Sequence, residues 1–317
     1  MLLRYLAQRL LHREPGAARY LRMGLGIERR ARELAAFWGP HQERTRSAQT
    51  RWAGSAHGGT LTVLGAGRLL DFAADSLAPR FEQLRLVDAD RSCESSWRGL
   101  GKPVEPVFTD ISGCIDRWAA SLGMLRGSWQ ETLDAIRKYG VEPEPAYSAS
   151  SDAVLSLNLI SQLPIGWQDG VEAFLWKRFG RGFVERREQE WLDAVRPGAR
   201  MLVEQHLAAL ARSGARSVLL IGDLEYVEYS GRKYSRRRWE PEPVRYEGAE
   251  WLADAGVKCE VSPALDPVNL EGAAFAEWMP SYRVAWQESW LWHIAPMGAE
   301  CPHCGTIHRV GAFALQR

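Results

Sequence analysis

Thr60-Leu-Thr-Val-Leu-Gly-Ala-Gly67 and, further on, Leu84-Arg-Leu-Val-Asp88 decide how the rest of this chain is read. Each opens as a short apolar run and closes on residues that leave a strand, glycines in the first and an acid in the second. Gly65 and Gly67 let the backbone turn tightly and approach a ligand, and the helix that follows offers N–H groups and positive potential. Asp88 falls 21 residues after Gly67, at the end of the next strand, where an acid can accept hydrogen bonds from ribose hydroxyls. The pair predicts a βαβ unit with a nucleoside at its strand ends. The plainer alternative is a turn shaped by glycines and a helix capped by Asp88. A dinucleotide site is a rival, but its fingerprint wants a third glycine where Leu70 stands.

Outward from this unit, further strand candidates are 106–108, 153–157 and 217–221, separated by helical stretches near 72–80, 91–99, 111–137, 168–195 and 200–213. Arg196-Pro197-Gly198 punctuates the last two. A helix is expected near 248–255, and two tail strands, 289–294 and 308–315, lie close enough to pair antiparallel. Before the first strand the chain reads as helices at 2–12, 16–23, 27–37 and 41–52, with a break at Gly39-Pro40 and a joint at 55–59. The expected fold is therefore α/β: a Rossmann-like, mostly parallel seven-stranded sheet with a C-terminal antiparallel hairpin and an N-terminal helical cap. The expected division is a cap at 1–55 and an α/β domain at 56–317.

From about residue 58 onward the chain resembles the class I S-adenosylmethionine-dependent methyltransferases. Val63-Leu-Gly-Ala-Gly67 is similar to their glycine-rich first motif and Leu86-Val-Asp88 to their ribose-binding acid. Phe108-Thr-Asp110-Ile111 resembles the third motif, which faces the adenine, and Asp152 to Pro164 the fourth, where donor and acceptor meet. Ala194-Val-Arg-Pro-Gly198 looks like the turn that family places ahead of strand five. The resemblance implies S-adenosylmethionine as cofactor, held by Gly65, Ala66, Gly67, Asp88, Ala89, Asp110, Ile111 and Asn158. Two positions depart from the family: its acid two before the first glycine is Val63, and its third glycine is Leu69. Arg68, Asp71 or a group from the N-terminal helices is then left to hold the methionine moiety.

Acceptor chemistry belongs beyond the ends of strands four and five. Asn158 and Asp223 are the catalytic candidates there, with Ser161, Gln162 and Tyr226 facing the substrate; Asn158 and Asp223 have local backbone and turn-capping roles as their structural alternatives. His206, on the helix before strand five, is read as packed rather than reactive. Cys301, Cys304 and His308, with His303 or Cys259, have the outline of half a zinc site, but no second CxxC completes it, and no metal is expected. The late tryptophans, Trp290 and Trp292 among them, read as sheet packing, with an aromatic box for a cationic or flat acceptor as the alternative.

Composition narrows the classes. The 317 residues carry 40 Lys+Arg against 39 Asp+Glu, which argues against a dedicated polyanion binder. The charge is segregated, however: residues 1–58 hold 11 basic and 4 acidic side chains, whereas 239–300 hold 3 basic and 11 acidic. These two stretches are expected to meet over the crevice. Five cysteines do not make a secreted disulfide framework, and no apolar run is long enough for a membrane span, so a cytoplasmic protein is expected. Tryptophan, at 14, outnumbers both tyrosine and phenylalanine. The expected function is methyl transfer to a small molecule. The alternatives are an RNA or protein acceptor gripped by the basic 230–239 loop, and a methyltransferase-like protein that binds a nucleoside without catalysis.

Overall fold

The computed structural model describes residues 17–139, 151–230, 258–263, 273–299 and 304–317. Helices α1 (Ala17–Glu33) and α2 (Ala35–Ala53) lead into strand β1 (Gly58–Leu64). Then come α3 (Ala74–Leu77), β2 (Phe81–Asp88), α4 (Glu94–Trp97), β3 (Val104–Phe108), α5 (Ile115–Leu122) and α6 (Trp129–Arg137). Strand β4 (Ala153–Leu157) is followed by α7 (Leu159–Phe179), α8 (Arg181–Glu185) and α9 (Glu188–Arg212). The described chain ends with β5 (Ser217–Ser230), β6 (Lys258–Pro263), α10 (Ala273–Trp278), β7 (Arg283–Ala295) and β8 (Cys304–Gln316). No helix among these residues is long and apolar enough to cross a membrane.

The sheet runs β3-β2-β1-β4-β5-β8-β7, with β1 to β5 parallel and β7 and β8 antiparallel. This is the expected mostly parallel sheet closed by an antiparallel hairpin. One strand was not foreseen: β6 pairs antiparallel with the far half of β5, beyond the point where β4 ends. The chain order reverses direction between β1 and β4, and that reversal opens a crevice at their C-terminal ends.

Strand alternation supplies two cores. Val218 and Leu220 face α7 and α9, whereas Leu219 and Ile221 face the other side, together with Leu155 and Leu157 of β4. Helix α2 roofs this second side. Trp52 is fully buried there and its indole N–H donates to Ser217 Oγ at 2.7 Å, while Trp38 donates to the Ile294 carbonyl at 3.0 Å. Trp290 and Trp292 of β7 are buried against the same helix, and Arg51 lies over the ring of Trp286. Packing between α2 and β7 thus accounts for much of the tryptophan excess.

Three expected boundaries move. Gly39-Pro40 does not break a helix. The break falls at Leu34, and Pro40 sits early in α2, where its missing N–H costs one intrahelical bond. Arg196-Pro197-Gly198 is no turn but the middle of α9. Its glycine serves packing, since a Cβ at 198 would lie 2.8 Å from Trp167 Nε1 and 3.0 Å from the Tyr139 carbonyl oxygen. The stretch 111–137 is two helices, separated by Gly127 and restarted by Ser128 in a capping box with Glu131. The expected helices at 2–12 and 248–255, the loop 231–239 and eight of the eleven acidic residues of the stretch 239–300 lie outside the described residues.

Candidate cofactor and acceptor site

The glycine-rich turn is fixed from both sides. Gly65 and Ala66 donate their N–H groups to the Val87 carbonyl at 3.0 and 3.2 Å. Gly65 has a φ of +74°, and a Cβ there would lie 2.7 Å from the Leu157 carbonyl oxygen, so β4 can pass only a glycine. Leu69, where the resembled family has its third glycine, takes a φ of +59° itself. It holds that costly conformation while packing into the core under α2.

Asp88 closes the turn. Its Oδ2 accepts the Gly67 N–H and its Oδ1 the Asp90 N–H, both at 2.8 Å. Burial pushes its carboxyl up to about 6, against the pull of these backbone bonds. Each oxygen retains a lone pair, so the carboxylate can still accept from a ligand's hydroxyls. Asp110, at the end of β3, accepts from the Ser112 N–H and hydroxyl; Ile111 beside it is buried and Ala89 half-buried.

Arg68 answers in part what the N-terminal helices do. Its guanidinium is buried among Glu28 of α1 at 3.2 Å, Asp90 at 3.5 Å and Ser92 Oγ at 2.7 Å. It fastens α1 to the turn rather than pointing at the strand ends. Helix α2 grips the other side of the loop. Gln49 donates to the Asp71 carbonyl at 2.7 Å and accepts from the Ala73 N–H at 2.8 Å, and Arg46 donates to the Leu70 carbonyl at 2.8 Å.

Asn158 ends β4 in the left-handed region, with a φ of +53°. Its Nδ2 donates to Asp71 Oδ2 at 3.1 Å, and its buried Oδ1 has no hydrogen-bond partner. Burial raises the Asp71 carboxyl above its usual range. An orphaned amide oxygen beside a buried carboxylate is a place for a ligand that brings donors, and an ammonium fits it.

Asp223 lies midway along β5, two residues past the end of its pairing with β4, not at a strand tip, and next to a register shift in its pairing with β8. Its Oδ2 is 3.1 Å from His308 Nδ1. Burial pushes this carboxyl up, but His308 and the nearby Ser161 hydroxyl outweigh it and hold it below the usual carboxylate range. Ser161 makes its hydrogen bond to the Asn158 carbonyl, at 3.3 Å. Ser161, Asn158 and Asp223 therefore converge. Gln162 does not join them, being exposed on α7, and the side chain of Tyr226 lies outside the described residues.

Other candidates resolve into structure. His206 is buried beneath the sheet, its Nε2 2.8 Å from Ser156 Oγ, as expected of a packed histidine. His308 is engaged by Asp223, Cys304 is disulfide-bonded, and no metal-binding cluster occurs among the described residues; Cys301 and His303 lie outside them. Trp292 takes the packing role, since His41 stacks on it at 4.0 Å and Trp38 meets it edge-to-face; Trp239 and Trp251 lie outside the described residues. Sequence reading missed His41. A single histidine on an amphipathic helix carries no signature of the strand it will cover.

No family model and no curated protein matches this chain. Solved structures do. Methyltransferases are among them. A Bacillus halodurans protein provisionally assigned as a methyltransferase is 8% identical, with a TM-score of 0.40, over 85% of this chain and 97% of that one. A Pyrococcus horikoshii protein provisionally assigned as an RNA methyltransferase is 8% identical, with a TM-score of 0.37, over 88% and 84%. A precorrin-6y C5,15-methyltransferase from Geobacter metallireducens is 9% identical, with a TM-score of 0.32, over 86% and 87%.

Proposed function

We infer that this chain transfers a methyl group from S-adenosylmethionine to a small molecule. One observation carries the reading: at the switch point of a 3-2-1-4-5 sheet, Asp88 is locked to the glycine turn while Asn158 holds an orphaned oxygen across the crevice. Asp88 would accept from the ribose hydroxyls, with Gly65, Ala66, Gly67 and Ala89 forming the floor. Asp110 and Ile111 would meet the adenine edge. Asp71 and Asn158 would take the methionine ammonium, the role left open by Val63. When bound, the donor supplies an electrophilic methyl on a sulfonium; the chain's part is to align an acceptor with it and keep water out. Asp223 and Ser161 would meet that acceptor.

The test is calorimetry with S-adenosylhomocysteine. Binding by the wild type and its loss in Asp88→Ala support the reading, and no binding by the wild type would sink it. A second reading, a nucleoside-binding protein without catalysis, draws on Leu69 at a glycine position. Binding with no methyl release across a broad acceptor panel would favour it.

A further inference from the structure

The middle of β5, just past its pairing with β4, holds a group of polar side chains that the donor does not use. The pairings Asp223 with Val310, Trp290 with Val310 and Trp292 with His308 place Asp223, His308, Trp290 and Trp292 on one face of the sheet. Helix α2 covers that face and lays His41 on Trp292, ring centroids 4.0 Å apart. Trp290 Nε1–H donates to His41 Nδ1 at 3.1 Å. An indole nitrogen only donates, so Nδ1 is the accepting nitrogen and the proton of neutral His41 sits on Nε2. Burial keeps this imidazole neutral, its pKa pulled down to about 3. His41 therefore brings no positive charge to its neighbours.

Asp223 keeps one oxygen open. It is 7% exposed, its Oδ1 has no hydrogen-bond partner, and no lysine or arginine pairs with it among the described residues. A buried carboxylate oxygen without a donor is costly, and the cost is removed by a ligand that supplies one. Trp292 Nε1–H is orphaned too, but its ring is enclosed by His41, Trp38 and His308. The vacant partner is thus a donor to Asp223, and a charged donor matches a buried carboxylate better than a neutral one.

We propose that the face around Asp223, midway along β5, is the acceptor subsite and takes a small molecule bearing a protonated amine, whose N–H donates to Asp223 Oδ1. His308 holds the other carboxylate oxygen, and His41 closes the subsite from α2. This rests on the methyl-donor reading, because the subsite adjoins Asn158 on the neighbouring strand. A carboxylate ligand would bury like charges together. An alcohol would satisfy the bond with a neutral and therefore weaker donor. The order of preference is ammonium, then alcohol, then carboxylate.

Three probes of similar size test it: n-butylammonium, 1-butanol and butyrate, titrated into the full chain saturated with S-adenosylhomocysteine. Calorimetry should rank them in that order. Asp223→Asn should weaken n-butylammonium by about tenfold or more, as loss of a charged hydrogen bond does, while leaving 1-butanol and S-adenosylhomocysteine unchanged. Butyrate binding as well as n-butylammonium, or n-butylammonium binding equally to wild type and variant, overturns the proposal. Should the variant not fold, the imidazole NMR signals of the wild type decide. Shifts of His41 and His308 with n-butylammonium and not with butyrate support the subsite, and the reverse pattern refutes it. If S-adenosylhomocysteine does not bind, the donor reading fails by itself, and the same probes titrated alone still decide the subsite.

Discussion

Gly24 of α1 lies directly against Asp90, so close that a Cβ on Gly24 would fall 2.2 Å from Asp90 Oδ2. The carboxylate cannot step aside, because Asp90 accepts the Ser92 N–H at 3.0 Å and meets the Arg68 guanidinium. Gly24→Ala should therefore destabilise the fold by about 1–3 kcal/mol of overpacking, less up to about 1 kcal/mol regained in helix propensity. Gly26, two residues on, has nothing within 4 Å. Gly26→Ala should gain roughly 0.5–1 kcal/mol. Thermal melts of the two variants moving in the same direction would contradict this placement of α1.

Asp88 predicts opposite pH trends for stability and for binding. Its folded carboxyl stands near 6, above the ordinary 3.8, so folding favours the protonated form. That contribution is full below the ordinary value and is lost as pH rises through about 6. Ribose binding needs the ionised form and runs the other way. S-adenosylhomocysteine affinity should fall about tenfold between about pH 7.5 and pH 5, with no such fall in Asp88→Asn, which starts weak. A flat profile in the wild type would remove Asp88 from the donor site.

The strands that position the site were legible because each begins as an apolar run ending in a turn residue, as at 60–64, 153–157 and 217–221. Their far ends were not. β5 continues to Ser230 through Glu225 and Glu228, charged residues that a pattern reading assigns to a loop, because β6 and β8 pair with them there. Gly65, Gly67 and Asp88 stand out in the sequence because the local backbone needs of the turn mark them. His41 and His308 could not be found that way. One is set by how α2 crosses β7 and the other by register across two strands.

The bond from Trp52 to Ser217 fastens α2 to the first residue of β5. Removing the indole N–H with Trp52→Phe leaves a buried hydroxyl without its partner and a small void, a loss of about 1–3 kcal/mol. Ser217→Ala should cost less, since the indole N–H is then the only orphan. A double-mutant cycle on denaturant midpoints should return a coupling of about 1 kcal/mol. Additive losses would mean that the two groups do not meet.

Asn158 combines a backbone role and a side-chain role, and two substitutions separate them. Its φ of +53° costs an ordinary L-residue about 1 kcal/mol or more, which glycine avoids. Asn158→Gly should therefore be more stable than Asn158→Ala by about that amount. Both variants lose Nδ2, the donor to Asp71, and Oδ1, the acceptor proposed to meet the methionine ammonium. Both should then bind S-adenosylhomocysteine about tenfold or more weakly, and to a similar degree, despite their different stabilities. If the glycine variant regained wild-type affinity, the amide would be a turn-former only. The methionine moiety would then have to be held by Asp71 alone.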